Sequence, residues 1–98
     1  MIDKILESNF ALADFYSSYC APCKALSPII DDIAKNYKNI DVIKINIDKD
    51  TEIARKYGIM SVPTIVFFKK GEVLGKILNP DKKTILKKIE SYSSHSLG

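Results

Sequence analysis

The sequence predicts an α/β fold built on one mixed sheet, and three observations predict it. Apolar runs of strand character alternate with stretches of helical period, in the order α-β-α-β-α-β-β-α. Such alternation makes βαβ units with parallel strands. Late in the chain, two strand-like runs follow each other directly across Lys69-Lys70-Gly71-Glu72, which adds an antiparallel hairpin. The third observation is Phe15-Tyr16-Ser17-Ser18-Tyr19-Cys20-Ala21-Pro22-Cys23-Lys24. It sets two cysteines three residues apart where a strand ends and a helix begins.

The elements follow in order. Ile2, Ile5 and Leu6 suggest a short N-terminal helix. Residues 10–16 read as a strand, with apolar bulk from Ala11, Leu12, Ala13 and Phe15. Leu26, Ile29, Ile30, Ile33, Ala34 and Tyr37 recur at helical spacing and mark one buried stripe. Residues 41–47 alternate, with Ile43, Ile45 and Ile47 on one face and Val42, Lys44 and Asn46 on the other. Residues 49–57 read as a short helix closed by Gly58. Ile65-Val66-Phe67-Phe68 is a continuous apolar run, as in a strand covered on both faces. Residues 73–78 are its hairpin partner. Asn79-Pro80-Asp81 opens the last helix with a cap, a first-turn proline and an acid, and Ile85, Leu86, Ile89 and Tyr92 form its stripe. Residues 93–98 read as a polar, frayed tail. Without repeats or an internal linker, residues 1–98 are expected to be a single domain.

Cys20 and Cys23 are the only cysteines. Pro22 fits the first helical turn, where its missing N–H costs nothing. Cys20 then falls near the N-cap and Cys23 one turn inside. Residues three apart on a helix lie roughly 5–6 Å apart on one face, within the Cα separation of about 4.4–6.8 Å that a disulfide tolerates. The unpaired N–H groups of a helix N-terminus favour an anion, and the thiolate is the attacking species. Cys20 is therefore expected to be the exposed nucleophile and Cys23 the shielded resolving thiol. Three other readings compete. A structural disulfide would close too short a loop to stabilise much. A structural zinc site wants four ligands, and Cys20, Cys23 and His95 supply only three, so a metal would need a second subunit. A chance pair of buried thiols would have no reason to sit at a strand–helix junction beside Pro22.

Composition narrows the function further. The chain has 98 residues, 46% hydrophobic, enough for one small domain. Its net charge of +3 comes with lysines and acids interspersed, and no basic block resembles a nucleic-acid arm. No apolar run is long enough to span a membrane. Met1-Ile2-Asp3-Lys4 lacks the pattern of a signal peptide, so the cytoplasm is the expected location. In a reducing compartment, a Cys-x-x-Cys pair is catalytic or metal-binding more often than structural.

Asp14-Phe15-Tyr16 leading to Cys20-Ala21-Pro22-Cys23-Lys24, then Pro28, Ile45-Asn46-Ile47-Asp48, Tyr57-Gly58-Ile59, Val62-Pro63-Thr64 and Phe68-Lys69-Lys70-Gly71, resembles the thioredoxin family over nearly the whole chain. The resemblance implies a thioredoxin fold with a central four-stranded sheet flanked by helices, the family's first edge strand being missing. It implies a thiol–disulfide oxidoreductase that reduces protein disulfides through Cys20 and Cys23. No cofactor beyond that pair and no metal would be needed. A thioredoxin reductase or equivalent would supply electrons, and the protein would act as a monomer. Asp14 matches a buried carboxylate that helps remove the Cys23 proton. An acid on an apolar strand is costly without a task or a partner. Lys44 matches the lysine near that carboxylate, and an Asp14–Lys44 ion pair is the competing structural reading. Pro63 matches the family's cis-proline, and Val62 would offer its backbone to a substrate strand. Tyr19, Ala21, Pro22, Ile59, Val62 and Pro63 would form an apolar rim, against the alternative of ordinary surface scatter.

Departures from the family pattern matter as well. Ala21 stands where the family usually has glycine. Tyr16 and Tyr19 take its two common aromatic positions, and the chain has no tryptophan. Asn79 stands where the family often has glycine near the substrate groove, and asparagine tolerates left-handed backbone. A glutaredoxin-like glutathione user shares Val62-Pro63 but usually carries a Gly-Gly pair and an acid after it, where this chain has Lys69-Lys70-Gly71-Glu72. A dedicated carrier for one reductase system and a redox-gated binding module are the remaining alternatives.

Overall fold

The structure, a computed structural model, describes the backbone of residues 2–97 and the side chains of residues 2–93. Its elements are α1 (Ile2–Glu7), β1 (Ala11–Tyr16), α2 (Ala21–Asn36), β2 (Asp41–Asn46), α3 (Thr51–Lys56), β3 (Thr64–Lys69), β4 (Glu72–Leu78) and α4 (Lys82–Leu97). Among the described residues the sheet has four strands in the order β2-β1-β3-β4. β1 and β2 pair in parallel, as a connection through a helix requires, while β1–β3 and β3–β4 are antiparallel.

Alternation on the strands feeds two cores. Leu12, Ile65 and Phe67 point to one face and pack with Leu26, Ile30 and Ile33 of α2 and Ile85 and Ile89 of α4. Ala11, Ala13, Phe15, Val66 and Phe68 point to the other face, with Ile43 and Ile45 of β2 and Ile5 of α1. β3 is an inner strand buried on both faces, which explains its unbroken apolar run. A register shift at Phe67/Phe68 bends the β3–β4 pairing before the hairpin.

Several boundaries differ from expectation. Asn79 does not cap the last helix. It takes a left-handed backbone (φ 48°), and Asp81 is the cap, its carboxylate accepting the Thr84 N–H at 2.8 Å. That bond holds the Asp81 carboxyl below its usual range. Pro80 therefore precedes the helix. α4 runs through the serine-rich segment to Leu97, where a frayed tail was expected, and Gly98 lies outside the described residues. Ala34 and Leu6 are exposed, so the α2 stripe is narrower than six residues and α1 buries only Ile5. Gly58 does close α3, at φ 64°.

Candidate functional site

The chemistry sits where three strand ends meet a helix start. β1 ends at Tyr16, and Thr64 at the start of β3 pairs with Phe15 on one side and Leu78, the end of β4, on the other. The loop after β1 is pinned from the end of β2 and the turn that follows it. Asn46 donates to Ser18 Oγ at 2.9 Å, and Ser17 donates to Asp48 at 2.8 Å. The chain then enters α2 at a fixed place, with Cys20 as N-cap in extended conformation and proline in the first turn.

Cys20 and Cys23 form a disulfide with Cα atoms 5.2 Å apart. The Cys23 backbone N–H donates to Cys20 Sγ at 3.1 Å. One of the helix's otherwise unpaired donors is thus aimed at this sulfur, and such a donor stabilises a thiolate more than a thiol. Cys20 is half-buried, whereas Cys23 is only 5% exposed.

Beneath them, Asp14 on β1 is 3% exposed, and its Oδ1 has no hydrogen-bond partner. Burial pushes its carboxyl up from the usual 3.8 to about 6; Lys44 nearby opposes the rise and Asp31 adds to it. The expected alternative, an Asp14–Lys44 ion pair, is not made. Lys44 reaches over to α2, with Nζ 2.6 Å from Asp31 Oδ1, and donates to Ser27 Oγ at 3.0 Å. Asp14, Cys23, Lys24, Ser27 and Lys44 line a pocket of about 230 Å³ that also touches Tyr16, Ser17 and Ser18. A pocket of this size with polar walls has room for water.

The loop before β3 carries the other predicted residues. The Val62–Pro63 peptide bond is cis, Pro63 is buried, and Val62 and Ile59 are half-buried. Thr64 Oγ1 donates to Ser61 C=O at 2.7 Å and holds the loop against the sheet end. Ala21 and Pro22 are exposed, and Tyr19 is 95% exposed. Sequence reasoning missed Met60. It is 94% exposed between Ile59 and Val62, and no spacing could have marked it before the loop's path was known. Ser27 and Asp31 were missed too, although they stand four and eight residues after Cys23, spacing that places them along one side of α2. Among the described residues, no group of three or more His, Cys, Asp or Glu side chains could hold a metal ion. No described helix is long and apolar enough to cross a membrane.

A disulfide-forming Cys-x-x-Cys pair at the head of a helix, over the end of a mixed four-stranded sheet, defines a thiol–disulfide oxidoreductase. Residues 2–91 match the family described as Thioredoxin. A thioredoxin of Rickettsia felis is 49% identical over 71 residues, covering 70% of this chain and 68% of that protein. An M-type chloroplastic thioredoxin of Pisum sativum is 42% identical over 83 residues, covering 83% of this chain but only 48% of its own length. A solved mutant thioredoxin of Halobacterium salinarum superposes with a TM-score of 0.85 at 33% identity, covering 93% of this chain and 81% of that one. The chain belongs to the thioredoxin family, and its Cys20–Cys23 pair is the family's redox pair.

Proposed function

We propose that residues 1–98 act as a single-domain protein-disulfide reductase in which the two cysteines have fixed and different roles. The observation that carries this reading is the asymmetry at the helix start. The half-buried sulfur receives the Cys23 N–H, and the other sulfur is buried. In the reduced protein, the Cys20 thiolate attacks one sulfur of a substrate disulfide. The substrate S–S bond breaks, one substrate thiolate leaves, and a mixed disulfide joins Cys20 to the substrate. The Asp14 carboxylate, directly or through water in the adjoining pocket, takes the Cys23 proton. The Cys23 thiolate then attacks Cys20 Sγ, and the second substrate thiolate departs. The substrate gains two electrons, its two thiolates are protonated by Asp14 and by solvent, and the protein is left as the Cys20–Cys23 disulfide.

Lys44 adjusts the charge near Asp14. Tyr19, Ala21, Pro22, Ile59, Val62 and Pro63 form the docking rim, to which the exposure of Met60 adds a seventh member. Val62 presents main-chain groups to an extended substrate segment. The partners are proteins carrying accessible disulfides, together with a thioredoxin reductase or equivalent that restores the dithiol. The protein works as a monomer in the cytoplasm.

Insulin reduction with dithiothreitol as donor tests the reading. Catalytic turnover well above dithiothreitol alone is expected, because resolution by Cys23 is intramolecular. A rate no faster than dithiothreitol alone, from folded protein with both thiols free, would overturn it. A dedicated carrier or a redox-gated binding module would then lead.

A further inference from the structure

The sheet register sets Asp14 beside Lys44 on adjacent strands and on one face. That arrangement invites a cross-strand ion pair, yet the pair is not made. Lys44 instead ion-pairs with Asp31 at 2.6 Å and donates to Ser27 at 3.0 Å, while Asp14 Oδ1 stays without a partner. Ser27 and Asp31 stand four residues apart on α2, so they present two acceptors along one helix face.

We propose that Ser27 and Asp31 are positioning residues: together they tether the Lys44 ammonium at the pocket mouth and withhold it from Asp14, leaving that carboxylate free to accept the Cys23 proton. The physical chemistry supports a balance that a tether can tip. An ammonium seated directly against a carboxylate lowers its pKa by about 1–3 units, which would make Asp14 a weaker base. Moving Lys44 inward would also strip water from a side chain that is still 35% exposed. An exposed ion pair alone holds weakly. The Ser27 hydroxyl makes the hold two-pointed, and two points fix where a flexible lysine resides. The groups that face Asp14 come from each side. β2 contributes Lys44; α2 contributes Asp31, Lys24 and Cys23; β1 itself contributes Tyr16; and β3 places uncharged Ile65 opposite Asp14.

The kinetic consequence rests on Asp14 being the proton acceptor, but the tether itself is read in the oxidised protein, where nothing turns over. Carboxyl ¹³C NMR follows the Asp14 titration in six proteins: the parent, Ser27→Ala, Ser27→Ala/Asp31→Asn, and each of these three in a Lys44→Met background. Releasing the tether should lower the Asp14 midpoint by about one pH unit. Part of that fall comes from deleting the Asp31 charge, and the Lys44→Met background measures that part. The fall with lysine present should be at least about twice the fall without it. Equal falls, or no fall in the double variant, would overturn the tether. Ser27→Ala alone changes no charge, so it should lower the midpoint only while Lys44 is present. A fall without Lys44 would also overturn the proposal. If Asp14→Asn leaves resolution of the mixed disulfide unchanged, the proton-acceptor role fails while the tether stands.

Discussion

The two ends of the sheet are finished differently. At the hairpin end, main-chain and side-chain groups are matched closely. Ser8 donates to Asp41 at 2.6 Å and accepts the Phe10 N–H at 3.2 Å; the Lys70 N–H donates to Ser8 C=O at 2.7 Å, and Lys70 Nζ to Glu7 C=O at 3.0 Å. Gly71 lies so close to α1 that a Cβ there would meet Leu6 Cδ2 at 2.8 Å. At the disulfide end, Tyr19 and Met60 are 95% and 94% exposed, Leu78 is 62% exposed, and a buried carboxylate oxygen goes unpaired. The hairpin end keeps its polar groups paired, and its exposed apolar side chains, Leu6 at 46% and Val73 at 43%, are less open to solvent. The other is left open in the two currencies that binding and catalysis use, apolar surface and unneutralised charge.

Substitutions at the open end should therefore change function first. The largest effect belongs to the cysteines. Cys20→Ser should abolish insulin reduction, while Cys23→Ser should retain attack and accumulate a covalent adduct visible by mass spectrometry under non-reducing conditions. In limited iodoacetamide treatment of the reduced protein at neutral pH, Cys20 should label first; preferential labelling of Cys23 would reverse the roles.

Asp14→Asn should slow release from the mixed disulfide and, by the same token, raise stability. The sign follows from linkage. The folded pKa of about 6 lies above the usual 3.8, so the native state holds the extra proton between those values and stability falls as pH rises through that window. A shift of about two units corresponds to about 3 kcal/mol. Chemical denaturation of the oxidised protein should show a gain of up to that size at pH 8 and almost none at pH 4. An equal gain at both values would remove ionisation as the cause.

At the closed end the pattern should invert. Gly71→Ala places a Cβ at φ 84° and against Leu6, which should lower stability by about 1–2 kcal/mol while leaving insulin turnover unchanged. A large activity loss in that folded variant would erase the contrast between the ends. The smallest effect is expected at Met60. Met60→Ala should shift denaturation by no more than about 0.5 kcal/mol and raise KM for insulin about fivefold, equivalent to about 1 kcal/mol of docking. An unchanged KM would take Met60 out of the rim.

Most of the fold was legible because burial imposes periods on a sequence. The α2 stripe, the alternation on β2 and the apolar run of β3 each follow from which faces the element covers. The cysteines were legible because Pro22 and the strand before it fix a helix start. The α4 boundary was misread because Asn79 and Asp81 are both good caps; only the left-handed backbone at Asn79 separates them. Ala34 was misread because its spacing suits the stripe, yet its side chain lies exposed at the edge of the buried face. The charge arrangement was the least legible part. Whether Lys44 meets Asp14 or Asp31 depends on how far α2 lies across the sheet, which no residue pattern records.

The bond from the Cys23 N–H to Cys20 Sγ has a consequence for how such a chain can change. Its donor is main chain, supplied by the helix direction rather than by any neighbour's side chain. This support for the Cys20 sulfur is therefore insulated from side-chain replacements at the neighbouring surface positions. With the roles proposed above, positions such as Tyr19, Ala21 and Met60 would be able to drift toward new protein partners without unmaking the nucleophile, so partner choice and sulfur reactivity would evolve on separate residues of one small surface.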